Sequence, residues 1–136
     1  MDAKYHVGHD LNNGTVSSAT AEAFKFIAQK QAEDRLLVYH VLESWALEDR
    51  ANHLFLESIF ENRRWTYKQF YLDVQKVGNW LLKDLGIEKG EVVALDGPNS
   101  PTYLILWFAL EAIGACPAFI NCNLTGESLY HCVSVS

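Results

Sequence analysis

The hydrophobic and polar positions of the chain fall into runs of different period, and each run predicts an element. Residues 1–19 carry Gly8, Asn12-Asn13-Gly14 and a Thr/Ser run with little periodic apolar content, and read as a loosely ordered lead-in. Residues 20–32 are rich in Ala and Gln and set Phe24, Ile27 and Ala28 as a short amphipathic helix requires. Asp34 then stands as the cap of a second helix over residues 36–47, in which Val38, Val41, Leu42 and Trp45 share a face. Residues 53–60 are β-rich, Glu61-Asn62-Arg63-Arg64 supplies a polar turn, and the apolar pattern resumes at Trp65, so a hairpin is expected.

The clearest local grammar follows. Thr66 with Gln69 three positions on forms a capping box, and Trp65 and Phe70 stand where a hydrophobic staple places them. A helix must therefore start at Tyr67. Phe70, Val74, Val77, Leu81 and Leu85 repeat at helical spacing to about residue 85, and Gly86 is placed to end the helix in a left-handed conformation.

Between Val92 and Asn123 the pattern changes to a short apolar strand (Val92-Val93-Ala94-Leu95), a turn (Gly97-Pro98-Asn99-Ser100-Pro101), a long apolar helix and a second strand (Ala118-Phe119-Ile120-Asn121). This is most of a βαβ crossover, which places the chain in the α/β class. The first strand lacks polar alternation, which predicts burial on both faces. Ser100 and Pro101 set the cap and first turn of the helix, and Gly114 ends it. A last helix begins with Thr125 as cap and Glu127 against the positive end of its dipole. The apolar 103–113 helix has few elements to cover it. The fold is thus expected to be marginal, to bind a hydrophobic dye, to self-associate or to need a partner.

Composition narrows the function classes. The 136 residues are 49% apolar and 12% aromatic, enough to fill one core. A formal charge of −6 with scattered basic residues argues against a nucleic-acid groove, which needs clustered Lys and Arg. Three cysteines, Cys116, Cys122 and Cys132, match no zinc or disulfide spacing and read as buried free thiols. Residues 103–120 are long enough to span a bilayer, yet Glu111 near the middle, Gly114 and Pro117 favour a buried core helix. Asn13-Gly14-Thr15 and Asn123-Leu124-Thr125 satisfy the glycosylation triplet; without a signal peptide they read as a turn and a helix cap.

Recognised chemistry is mostly missing from the pattern. Neither glycine-rich phosphate motif occurs, and His6, His9, His40, His53 and His131 are dispersed without ligand spacing. His131 beside Cys132 reads as packing rather than a nucleophile and its base. Ser44, Ser58 and Ser100 lack a nucleophile-elbow context. Glu111 is the one charge expected to be partly buried, paired with an arginine or pointing into a cavity.

Several blocks, in order and spacing, resemble a known family. They are Tyr39-His40-Val41-Leu42-Glu43, Asn62-Arg63-Arg64-Trp65-Thr66-Tyr67, Val77-Gly78-Asn79-Trp80-Leu81, Lys89-Gly90-Glu91-Val92-Val93-Ala94, Asn99-Ser100-Pro101, Trp107-Phe108-Ala109-Leu110, Gly114-Ala115 and Phe119-Ile120-Asn121-Cys122-Asn123-Leu124-Thr125-Gly126. Together they resemble the N-terminal part of AMP-forming acyl-CoA synthetases. The likeness is greatest to the fungal form of the very-long-chain acyl-CoA synthetase and fatty-acid transport protein branch. Asn62 and its arginines replace the family's usual glycine in the hairpin turn, Glu57-Ser58-Ile59-Phe60 resembles a small insertion, and the tail after Cys132 leaves the pattern.

The resemblance implies the N-terminal portion of the adenylate-forming large domain, with helices around a short, incomplete, mainly parallel sheet plus a hairpin. It implies a lead-in and short helix over 1–34 and a partial AMP-binding domain over 35–136. The family's ATP loop, adenylate-binding stretch, ribose-binding Asp and catalytic lysine come after the matched segment. No catalytic, cofactor-binding or metal residue is therefore carried onto any position here. The family uses ATP, Mg2+ and CoA in fatty-acid or secondary metabolism; the chain is expected to hold none of them and to be inactive alone, as a truncated ligase. Its expected place is intracellular, cytoplasmic or peripheral to a peroxisomal or ER membrane. Expected partners are a separately encoded ligase remainder or a second copy, with no nucleic acid. Two other readings stand beside this one: a non-catalytic module docking onto a ligase through apolar helix faces, and a membrane-peripheral protein using residues 103–120.

Overall fold

The computed structural model describes residues 18–33, 35 and 37–135. The chain divides into two compact units, residues 1–36 and 37–136. In the first, α1 runs Ser18–Ala32. It starts two residues before the apolar pattern does, exposes Phe24 and Ile27, and ties Gln29 and Lys30 to Glu33 at 2.9 and 3.3 Å. The rest of the expected lead-in, with His6, His9 and the Asn13 triplet, lies outside the described residues, as do Asp34 and Leu36.

The second unit opens with α2, Val38–Leu47. Its N-cap position is Leu37, which offers no side-chain acceptor, and a distant carboxylate described below accepts from its first turn. Tyr39, Leu42 and Ala46 form its buried face; of the expected Val38, Val41, Leu42 and Trp45 face, Leu42 is buried, Val41 and Trp45 are half-buried and Val38 is exposed. Strands β1, Leu54–Ser58, and β2, Arg63–Thr66, pair antiparallel as the pattern predicts. Asn62 closes their turn with φ 46°, a left-handed conformation that glycine adopts freely and asparagine tolerates. That requirement explains why a glycine suits this position.

Helix α3, Tyr67–Lys83, starts where the capping box places it. Gln69 N donates to Thr66 Oγ1 at 3.2 Å and Thr66 N donates to Gln69 Oε1 at 2.9 Å. Trp65 and Phe70 are both fully buried. The helix ends two residues short of the expected position, at an Asp84 cap, so Leu85 is exposed, while Gly86 does take the left-handed conformation, φ 68°. Strand β3, Val92–Asp96, leads to α4, Pro101–Ile113, whose Ser100 Oγ accepts from Tyr103 N at 3.1 Å and whose Gly114 cap is left-handed, φ 79°. Strand β4, Cys116–Ile120, pairs parallel with β3, and α5, Gly126–Ser134, follows.

The core lies between α2, α3, α4 and the hairpin. Phe55, Phe70 and Phe108 interlock there, with ring centroids 4.7 Å apart for Phe55 and Phe70 and 5.6 Å for Phe70 and Phe108. Gly78 lets α4 approach α3 closely, since a Cβ at that position would sit 3.4 Å from Ile113 Cγ2. Contrary to expectation, α4 does not project bare apolar faces: Phe108, Ala109 and Leu110 are buried and Tyr103 to Trp107 are half-buried. The expectation of burial on both faces of β3 also fails. Val92, Ala94 and Asp96 are exposed, because the sheet has two strands among the described residues, and an apolar run declares a strand without declaring what covers it. β4 starts two residues before the predicted strand and takes in Pro117, which an edge strand can accept because the missing N–H removes no ladder bond on its open side. Thr125 occupies the cap position of α5, but its hydroxyl makes no capping bond.

Candidate functional site

A groove of about 550 Å³ opens between the β1–β2 hairpin and the first turns of α4. The hairpin contributes Leu56 and the turn residues Ile59 and Phe60, the α4 entry contributes Asn99 to Pro101, and Tyr103, Leu104 and Trp107 form the floor. Phe119 of β4 closes one side and packs edge-on against Trp107, ring centroids 5.0 Å apart, with Tyr103 at 6.1 Å. The local sequence explains this placement. The Ser100 cap and Pro101 fix the direction of α4, so Tyr103 and Trp107, four residues apart, fall on one face. Phe60 is 104% exposed and Ile59 86%, so the hairpin tip stands out of the fold as an apolar lip.

Three polar side chains of the lining, Glu57, Ser58 and Ser100, are engaged in holding the fold. Glu57 accepts from Arg64 Nε at 2.7 Å and pairs with its Nη2 at 2.6 Å. Ser58 Oγ accepts from Glu61 N at 3.3 Å, and Ser100 Oγ caps α4. The lining holds no cation and one carboxylate, so it does not fit a nucleoside triphosphate, whose phosphates need positive charge or backbone amides of a glycine-rich loop. The groove can exclude water and seat apolar surface.

A second cluster joins three helices. Glu111 Oε2 accepts from the backbone N of Tyr39 at 3.0 Å, at the start of α2, and its Oε1 accepts from Trp107 Nε1 at 2.8 Å. Tyr39 Oη donates to Glu43 at 3.0 Å and accepts from Gln75 Nε2 at 2.8 Å. Glu111 is thus neither paired with an arginine nor aimed into a cavity. It serves as a remote cap for a helix that lacks its own. A third cluster centres on Asp73, which accepts from Trp65 Nε1 at 3.0 Å and Arg63 Nη2 at 3.2 Å while Arg63 lies over the Trp65 ring at 4.2 Å. This staples the hairpin to α3.

The remaining expected residues are scattered. Cys116 and Cys122 are exposed and Cys132 is half-buried, so the expectation of buried thiols is corrected: Cys116 opens β4 and Cys122 follows it, at the edge of a two-stranded sheet. His131 is exposed on α5 and does not pack as expected, because α5 buries none of its residues. Among the described residues no group of three or more His, Cys, Asp or Glu is arranged to hold a metal ion, and no helix is long and apolar enough to cross a membrane. The groove was missed in the sequence. Its one local signal is Ile59-Phe60, two large apolar residues in a turn where polar ones are the rule.

Comparison with known proteins gives this geometry a context. Residues 42–136 match the AMP-binding enzyme family. The very long-chain fatty acid transport protein of Cochliobolus heterostrophus is 43% identical over 136 residues, covering 99% of this chain and 21% of that protein. Isopenicillin N epimerase component 1 of Hapsidospora chrysogena is 31% identical over 137 residues, covering 100% of this chain and 21% of that protein. The crystal structure of the N-terminal domain of FACL13 from Mycobacterium tuberculosis superposes with a TM-score of 0.65 at 26% identity, covering 71% of this chain and 24% of that one. The chain spans about a fifth of the length of the curated relatives it matches.

Proposed function

The chain belongs to the AMP-binding enzyme family, and we propose that it is the opening scaffold of a ligase that joins a fatty or other carboxylic acid to CoA. In that reaction the carboxylate attacks ATP to give an acyl-adenylate and pyrophosphate, and the CoA thiol then displaces AMP to give the thioester. The observation that carries this reading is the 43% identity to a very long-chain fatty acid transport protein across nearly the whole chain. The likeness to an acyl-CoA synthetase structure of Mycobacterium tuberculosis, 28% identical with a TM-score of 0.59, supports the same class.

In this reading ATP, Mg2+ and CoA are held by residues beyond these 136, and the chain supplies walls rather than reacting groups. Two features support that role. The groove is mostly apolar, with Glu57, Ser58 and Ser100 committed to an ion pair, a turn and a cap, and Glu111 and Asp73 are spent on tying elements together. The test is ATP–pyrophosphate exchange by the purified 136-residue chain with a series of fatty acids. No exchange above a boiled control is expected. Exchange, or acyl-CoA formation dependent on ATP, would overturn the scaffold role.

A further inference from the structure

We draw no further inference here: the strongest candidate, the apolar groove between the β1–β2 hairpin and α4 with its lip of Ile59 and Phe60, shares Leu56, Leu104 and Trp107 with the core packing, and nothing in the structure shows what covers it.

Discussion

Phe70 and Phe60 lie ten residues apart and could hardly be placed more differently. Phe70 is 0% exposed among Phe55, Phe108 and the helices, while Phe60 is 104% exposed at the hairpin tip. The same contrast separates the α2–α3–α4 interior from the β3–β4 sheet. In the interior α2, α3 and α4 each meet the other two and Glu111 binds across the fold to Tyr39, whereas the sheet exposes Val92 and Phe119 and has two strands among the described residues. The difference teaches that the chain has two kinds of apolar residue, one that builds this unit and one that the unit presents. Stability resides in the first kind.

The contrast breaks most visibly under substitution of the two phenylalanines. Phe70→Ala removes a ring from a close-packed core and should cost about 3–5 kcal/mol, enough to abolish cooperative unfolding in urea. Phe60→Ala should shift the urea midpoint by no more than about 0.5 kcal/mol equivalent. Comparable losses for both would mean that the hairpin tip is packed in solution. A smaller effect is expected from Glu111→Gln. The amide can accept at one oxygen only and turns a donor toward a donor, leaving the Tyr39 N–H or the Trp107 N–H unmet. About 1–3 kcal/mol should be lost, and the Tyr39 amide should exchange faster with deuterium. The smallest effects distinguish a cap that bonds from one that does not. Thr66→Ala should cost about 1 kcal/mol, whereas Thr125→Ala, whose hydroxyl makes no capping bond, should cost a few tenths at most. Equal effects at the two threonines would show that the α5 hydroxyl bonds in solution.

What could be read from the sequence was what is written locally. The capping box at Thr66, the Ser100-Pro101 start and Gly114 end of α4, and the hairpin before Trp65 each depend on residues a few positions apart, so a linear reading finds them. The family blocks belong to the same class of signal. Glu111 shows why the rest escaped: its hydrogen bond to Tyr39 spans 72 residues, and no periodicity links the two. The burial of β3 was misjudged for a related reason, since Val92 and Ala94 are apolar yet no layer among the described residues covers them. The groove escaped because it is a relation among the hairpin, α4 and β4 rather than a motif in any of them.

The remote cap on α2 also sets an order of events while the chain is being made. The amide of Tyr39 leaves the ribosome 72 residues ahead of the carboxylate that accepts from it. At about 5 to 20 residues per second that is an interval of roughly 4 to 14 seconds. Through it α2 has neither a cap of its own nor the α4 surface that its Tyr39 and Leu42 face is built to meet. The second helix written is thus fastened only after the fourth, and a nascent chain arrested short of residue 111 should leave the Tyr39 amide open to exchange however long it waits.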